Sequence, residues 1–150
     1  MKIYVGADHR GYVAKQEVLN YLKKAGYEAE DIGDEQFNPE DDFPVFATKA
    51  ANKVLSSQDA DSRAILICGS GQGMAMAANR FKGIRAGLGY NVEAAKCTRN
   101  DEDSNVLALP AELFKTPSDQ KVFVIIEAWL NTPFANAARF IRRNQELDNL

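Results

Sequence analysis

One histidine and two cysteines in 150 residues leave little with which to build a metal centre. His9 stands alone, which excludes a histidine-rich site within one chain. Cys68 and Cys97 lack both zinc-ligand spacing and the density of a disulfide framework. Positive charge is also short. Eighteen Lys and Arg against 21 Asp and Glu give a net charge of -3, which argues against nucleic acid as a main partner. No apolar run is long enough to cross a bilayer, and residues 1–6 are too short and too soon interrupted for a signal peptide. The expected setting is cytoplasmic, with no membrane partner. Internal repeats, low-complexity tracts and linkers are missing as well. At this length, residues 1–150 are expected to form one domain.

What is present centres on residues 64–78, Ala-Ile-Leu-Ile-Cys-Gly-Ser-Gly-Gln-Gly-Met-Ala-Met-Ala-Ala. A short, branched apolar run ends at Cys68 and reads as a buried strand. Gly69, Gly71 and Gly73 follow at alternate positions, letting the backbone turn tightly and bring its N–H groups close to a ligand. Residues 73–80 then read as a helix. Strand, glycine turn and helix N-terminus together form an anion site. Met74 breaks the dinucleotide pattern G-x-G-x-x-G, and no Gly-Lys-Ser/Thr closes a P-loop. Cys68 at the mouth of this loop has two readings, a small buried apolar residue or a candidate base.

Along the chain, residues 2–6 read as a first strand and 7–11 as the turn after it. Ala14, Val18, Tyr21, Leu22 and Ala25 recur at helical spacing, with Gly26 as the stop. Residues 27–32 suit an edge strand. The acidic stretch 33–42 reads as a solvated loop. Pro44 opens a helix that turns Phe46, Ala47, Ala50, Ala51, Val54 and Leu55 to one face. Met74 and Met76 read as core filler. Residues 84–89 and 104–109 read as strands, Asn91 as the cap of a helix to about Thr98, and residues 116–119 as another helix start. Val122, Ile125, Ile126 and Trp129 line that helix, and a last helix covers about 135–147.

Five alternations of strand and helix predict an α/β/α three-layer sandwich on a five-stranded parallel sheet. Ligands of such sheets sit beyond the carboxyl ends of the strands, where the connection reverses. With the first strand central and the second beside it, the reversal falls between strands one and three. That brings Asp8, His9 and Arg10 beside Cys68.

The motifs Gly-Ala-Asp-His-Arg-Gly at 6–11, Ile-Leu-Ile-Cys-Gly-Ser-Gly at 65–71, Ala-Ala-Asn-Arg at 77–80, Lys-Gly-Ile-Arg-Ala at 82–86 and Asn-Val-Leu-Ala-Leu at 105–109 resemble the type B ribose-5-phosphate isomerases. Allose- and galactose-6-phosphate isomerases are relatives of these. The resemblance covers nearly the whole chain. It implies a Rossmann-like sheet, no cofactor, a sugar-phosphate substrate and aldose–ketose isomerisation through an enediolate. It also implies a homodimer or tetramer with sites at the interface, the C-terminal helix packing on a partner. On that pattern Cys68 is the base. Ser70 and the N–H groups of Gly69, Gly71 and Gly73 hold the oxyanion. Asp8, His9, Arg10 and Phe43 contact the substrate, and Arg139 and Arg143 reach the phosphate from the partner. Arg139 and Arg143 share a helix face at i, i+4. They also suit a solvated basic face with Arg142.

The sequence departs from the family where its second half-site lies. Asp101 replaces the histidine assigned to opening the sugar ring, and Glu102 replaces a substrate-binding asparagine. Glu112 stands where many members have an arginine, and Phe43 where a tyrosine is common. An aspartate can still serve as an acid or base. The alternatives are an isomerase of another sugar phosphate, or a binding homologue without turnover. Residues 100–104 fall between a helix and a strand, at the amino edge of a parallel sheet. Asp101 is therefore expected to serve a partner's Cys68.

Overall fold

The computed structural model describes residues 1–115 and 121–150. The predicted helix start at Thr116 to Asp119 lies outside the described residues. Five strands are observed: β1 (Lys2–Ala7), β2 (Glu28–Asp31), β3 (Arg63–Cys68), β4 (Ala86–Leu88) and β5 (Val106–Pro110). They form one parallel sheet in the order β2-β1-β3-β5-β4. Among the described residues six α-helices accompany them: α1 (Tyr12–Lys24), α2 (Phe43–Ser56), α3 (Gln72–Ala78), α4 (Val92–Asn100), α5 (Lys121–Asn131) and α6 (Ala138–Leu147). The connection after β1 runs outward to β2, and the next returns past β1 to β3. The reversal therefore falls between β1 and β3, as the sequence predicts.

Strand alternation splits the core into two layers. Ile3, Val5, Ile65, Ile67, Leu107 and Leu109 face α1, α4 and α5. Tyr4, Ala64, Leu66, Cys68, Val106 and Ala108 face α2 and α3. The central strands are buried on both sides, which is why they read as unbroken apolar runs. β2 is the predicted polar edge. Trp129 is fully buried, and its indole N–H donates to Ser104 Oγ at 2.8 Å.

Local signals hold at several termini. Gly26, with φ at 85°, follows α1; its N–H donates to the Lys23 carbonyl, and that of Tyr27 to Leu22, closing the helix. Asn91 caps α4, its Oδ1 accepting from the Ala94 N–H at 2.7 Å.

Some expectations are corrected. Met74 is core, but Met76 is 65% exposed, because α3 is a single short helix with only one buried side. Leu55 lies outside the buried face of α2 and is exposed. β4 has three residues rather than six. α6 begins three residues later than predicted, after Asn136 at a positive φ of 54°. No described helix is long and apolar enough to cross a membrane.

Candidate active site

The site is built at the carboxyl ends of β1 and β3. Their register pairs Ala7 with Ile67, and the Asp8 N–H still donates to the Ile67 carbonyl at 3.2 Å. Asp8 and Cys68 are thus the next two residues on neighbouring strands, beyond the last paired position. By alternation both belong to the α2/α3 face of the sheet. Cys68 is 5% exposed.

Asp8 has a structural task. Its Oδ1 accepts the backbone N–H groups of Arg10 at 3.0 Å and Gly11 at 3.1 Å, fastening the turn into α1. Burial pushes its carboxyl up, and those N–H groups pull it back. Gly11 must be glycine, since a Cβ there would lie 2.6 Å from the Ile67 carbonyl oxygen.

Beyond Cys68 the chain turns through Gly71, whose φ is 75°. A Cβ at Gly71 would strike Leu88 at 2.6 Å. Ser70 is exposed, and its Oγ accepts the Gln72 N–H at 3.4 Å. The first-turn N–H groups of α3 have no intrahelical acceptors. Two side chains flank this turn. The Arg10 guanidinium lies where a Gly69 Cβ would be, and the Phe43 ring comes within 3.0 Å of a Gly73 Cβ position. Arg10, Gly69, Glu17, Glu112 and Lys115 also line a cavity of about 280 Å³. Glu112 therefore belongs to this end of the molecule.

The acidic stretch 33–42 is not simply solvated. It is strapped over the start of α1. Lys15, fully buried, donates from Nζ to both Asp31 oxygens at 2.7 and 2.8 Å and to the Asp34 carbonyl at 2.9 Å. Tyr12 donates its hydroxyl to the Glu35 carbonyl and meets Phe37 edge to face. The strap delivers Asp41 to His9. Asp41 Oδ1 accepts the His9 backbone N–H at 2.9 Å and lies 2.7 Å from His9 Nδ1. That hydrogen bond raises the His9 pKa, with Asp8 adding and burial and Arg10 opposing. Sequence reasoning missed Asp41 and Lys15. They act across 32 and 16 residues, and only the excess of acid in the strap hints at them.

The remaining predicted residues are elsewhere. Asp101 caps the end of α4 and accepts from Asn100 Nδ2 at 2.6 Å. Five residues later β5 starts, with Val106 paired to Ala64, whereas Cys68 pairs with Pro110 at the other end. Four strand residues span about 13 Å, so Asp101 lies at the opposite edge of the sheet from Cys68. Burial, then Asp101, pushes the Glu102 carboxyl up, and Arg143 pulls it back, so these three are neighbours. The Ala135 N–H donates to the Asn100 carbonyl, holding the segment before α6 to this same edge. On α6, Arg142 pairs with Glu146 at 3.6 Å. Arg139 lies against the Phe140 ring, and neither Arg139 nor Arg143 has an ion-pair partner among the described residues. The residues expected from sequence thus fall into two sets at opposite edges of one chain's sheet.

Among the described residues, no cluster of three or more His, Cys, Asp or Glu side chains is arranged to hold a metal ion.

The chain is similar to known proteins along nearly its full length. A family model described as Ribose/Galactose Isomerase matches residues 3–147. A curated relative from Mycobacterium tuberculosis, ribose-5-phosphate isomerase B, is 32% identical over 143 residues, covering 95% of this chain and 85% of the relative. A probable ribose-5-phosphate isomerase B from Mycoplasma genitalium is 34% identical, covering 88% and 84%. The crystal structure of a ribose 5-phosphate isomerase from Thermotoga maritima superposes with a TM-score of 0.90 at 36% identity, over 99% and 98% of the two chains. A Mycoplasma genitalium ribose-5-phosphate isomerase B with bound ribulose-5-phosphate gives 0.88 at 32% identity, over 99% and 94%. With its five-stranded parallel sheet and its thiol-bearing glycine turn at the β1/β3 reversal, the chain belongs to the ribose/galactose isomerase family.

Proposed function

We propose that this isomerase interconverts ribose 5-phosphate and ribulose 5-phosphate through an enediolate, with Cys68 as the proton-transfer base. The observation that carries the reading is that the Asp8–Arg10 turn lies beside Cys68, with Arg10 and Phe43 flanking the glycine turn that follows it. Relatives matching at this coverage support it, one of them solved with bound ribulose-5-phosphate. Cys68 Sγ takes the proton from the carbon beside the aldehyde and returns it to the former carbonyl carbon. The loop N–H groups and Ser70 hold the oxygen that becomes negative in between. No cofactor is called on, and the setting is cytoplasmic, where the thiol stays reduced.

The same reading makes the site composite. Asp8, His9, Arg10, Phe43 and the 68–73 turn come from one subunit. Asp101, Glu102, Arg139 and Arg143 come from a partner, on which α6 packs. The separation of the two half-sets within a chain supports this. So do Arg139 and Arg143, without an ion-pair partner among the described residues, and the Asn144 Oδ1 of α6, buried with no hydrogen-bond partner among them.

A second reading, an isomerase of a hexose phosphate of the allose or galactose 6-phosphate kind, is favoured by Glu112. Its carboxylate shares the Arg10 cavity and changes what that end of the pocket accepts. Purified protein should convert ribose 5-phosphate to ribulose 5-phosphate, unchanged by chelator, and faster than allose or galactose 6-phosphate. A preference for either hexose phosphate transfers the assignment to the second reading. No turnover of any of the three leaves a binding protein.

A further inference from the structure

His9 is the one histidine in the chain, and it is held by a residue from outside its own turn. Asp41 is 7% exposed at its side chain, and a single oxygen of it accepts both the His9 backbone N–H and the ring at Nδ1. Two contacts to one carboxylate oxygen fix the position of the turn and the rotation of the ring together. Nε2, on the far side of the imidazole, makes no hydrogen bond among the described residues. The strap carrying Asp41 is itself fastened, at Lys15 by Asp31 and Asp34 and at Tyr12 by Glu35 and Phe37.

We propose that Asp41 is the positioning residue of His9, holding Nδ1–H so that Nε2–H is presented as a donor to the anionic end of the substrate. The inference rests on the sugar-phosphate reading above. The charged groups facing the ring are Asp41 from the strap and Asp8 and Arg10 from its own turn. Two carboxylates against one guanidinium favour the imidazolium. His9 therefore stays protonated to higher pH than a free histidine, and a charge-assisted donor remains available where the phosphate is fully ionised.

The single histidine makes the test direct. In tag-free protein its Cε1–H resonance can be followed through a pH titration by NMR with no assignment problem. The wild-type midpoint is expected above the ordinary 6.5. In Asp41→Asn, which keeps an acceptor of the same shape without the charge, it should fall back toward that value. With ribose 5-phosphate above pH 7, Asp41→Ala should raise KM about tenfold and change kcat little, the loss of one charge-assisted hydrogen bond. The mutant to wild-type ratio of KM cancels the phosphate's own second ionisation. It should shrink as pH falls and both histidines become protonated. A merely structural Asp41 would leave the titration unmoved. Equal midpoints in wild type and Asp41→Asn, or a fall in kcat at unchanged KM, would overturn the proposal. If the wild type does not turn over ribose 5-phosphate, the substrate reading falls, and the titration repeated with inorganic phosphate still decides the coupling.

Discussion

Cys68 and Cys97 place the same atom in opposite settings. Cys68 closes a central strand and is buried beside the glycine turn; Cys97 is exposed on α4, its Sγ 3.7 Å from Glu93. Burial and then Glu93 push the Cys97 thiol up, so it is a poor base at neutral pH. If Cys68 is the base proposed above, Cys68→Ala is expected to lower kcat by about a hundredfold or more, with KM largely kept, because the anion turn stays. Cys97→Ala should match wild type in steady-state kinetics. Asp8 gives a pH prediction. Its carboxyl is raised above the ordinary aspartate value of 3.8 by burial, so ionising it costs the fold stability as pH rises through the native value. Asp8→Asn keeps an acceptor for the Arg10 and Gly11 N–H groups and removes that charge. Its melting temperature should match wild type in acid below the ordinary carboxylate range and exceed it at neutral pH. A variant less stable than wild type at pH 7 would contradict this.

At the scale of elements, the glycines of the site have different duties. Gly11→Ala sets a Cβ against backbone, the Ile67 carbonyl, and Gly71→Ala must hold a left-handed φ with Leu88 in the way. Each should cost about 2 kcal/mol or more in denaturant unfolding. The Cβ of Gly69→Ala has the movable end of Arg10 as its nearest neighbour. It should therefore unfold close to wild type, within about 1 kcal/mol, while substrate KM rises as Arg10 is displaced. The strands and the glycine turn are legible in sequence because their signals are local. Residues 64–68 are apolar throughout, as both faces are covered, and Gly69, Gly71 and Gly73 mark the turn. The strap is not legible. Asp41 and Lys15 look like surface charges in their own neighbourhoods, and their partners lie beyond any window of helical or strand periodicity. Met76 and Leu55 failed for a related reason, since periodicity gives a face but not where a short helix stops being covered.

At the scale of the whole molecule, the sheet separates the groups that the proposed composite site brings together. Cys68 lies at the carboxyl edge, and Asp101, Glu102 and Arg143 lie together at the amino edge. That separation follows from the alternation alone, because every helix-to-strand connection of a parallel sheet falls at the amino edge. A site using both edges needs two chains arranged so that each completes the other. Cys68→Ala and the double variant Arg139→Ala/Arg143→Ala damage opposite halves, so each homodimer is defective in both of its sites. After subunit exchange, each mixed dimer should hold one site damaged twice and one intact. An equimolar mixture should then recover about a quarter of the wild-type rate at low ribose 5-phosphate. No recovery, with mixed dimers confirmed by native mass measurement, would contradict the composite site.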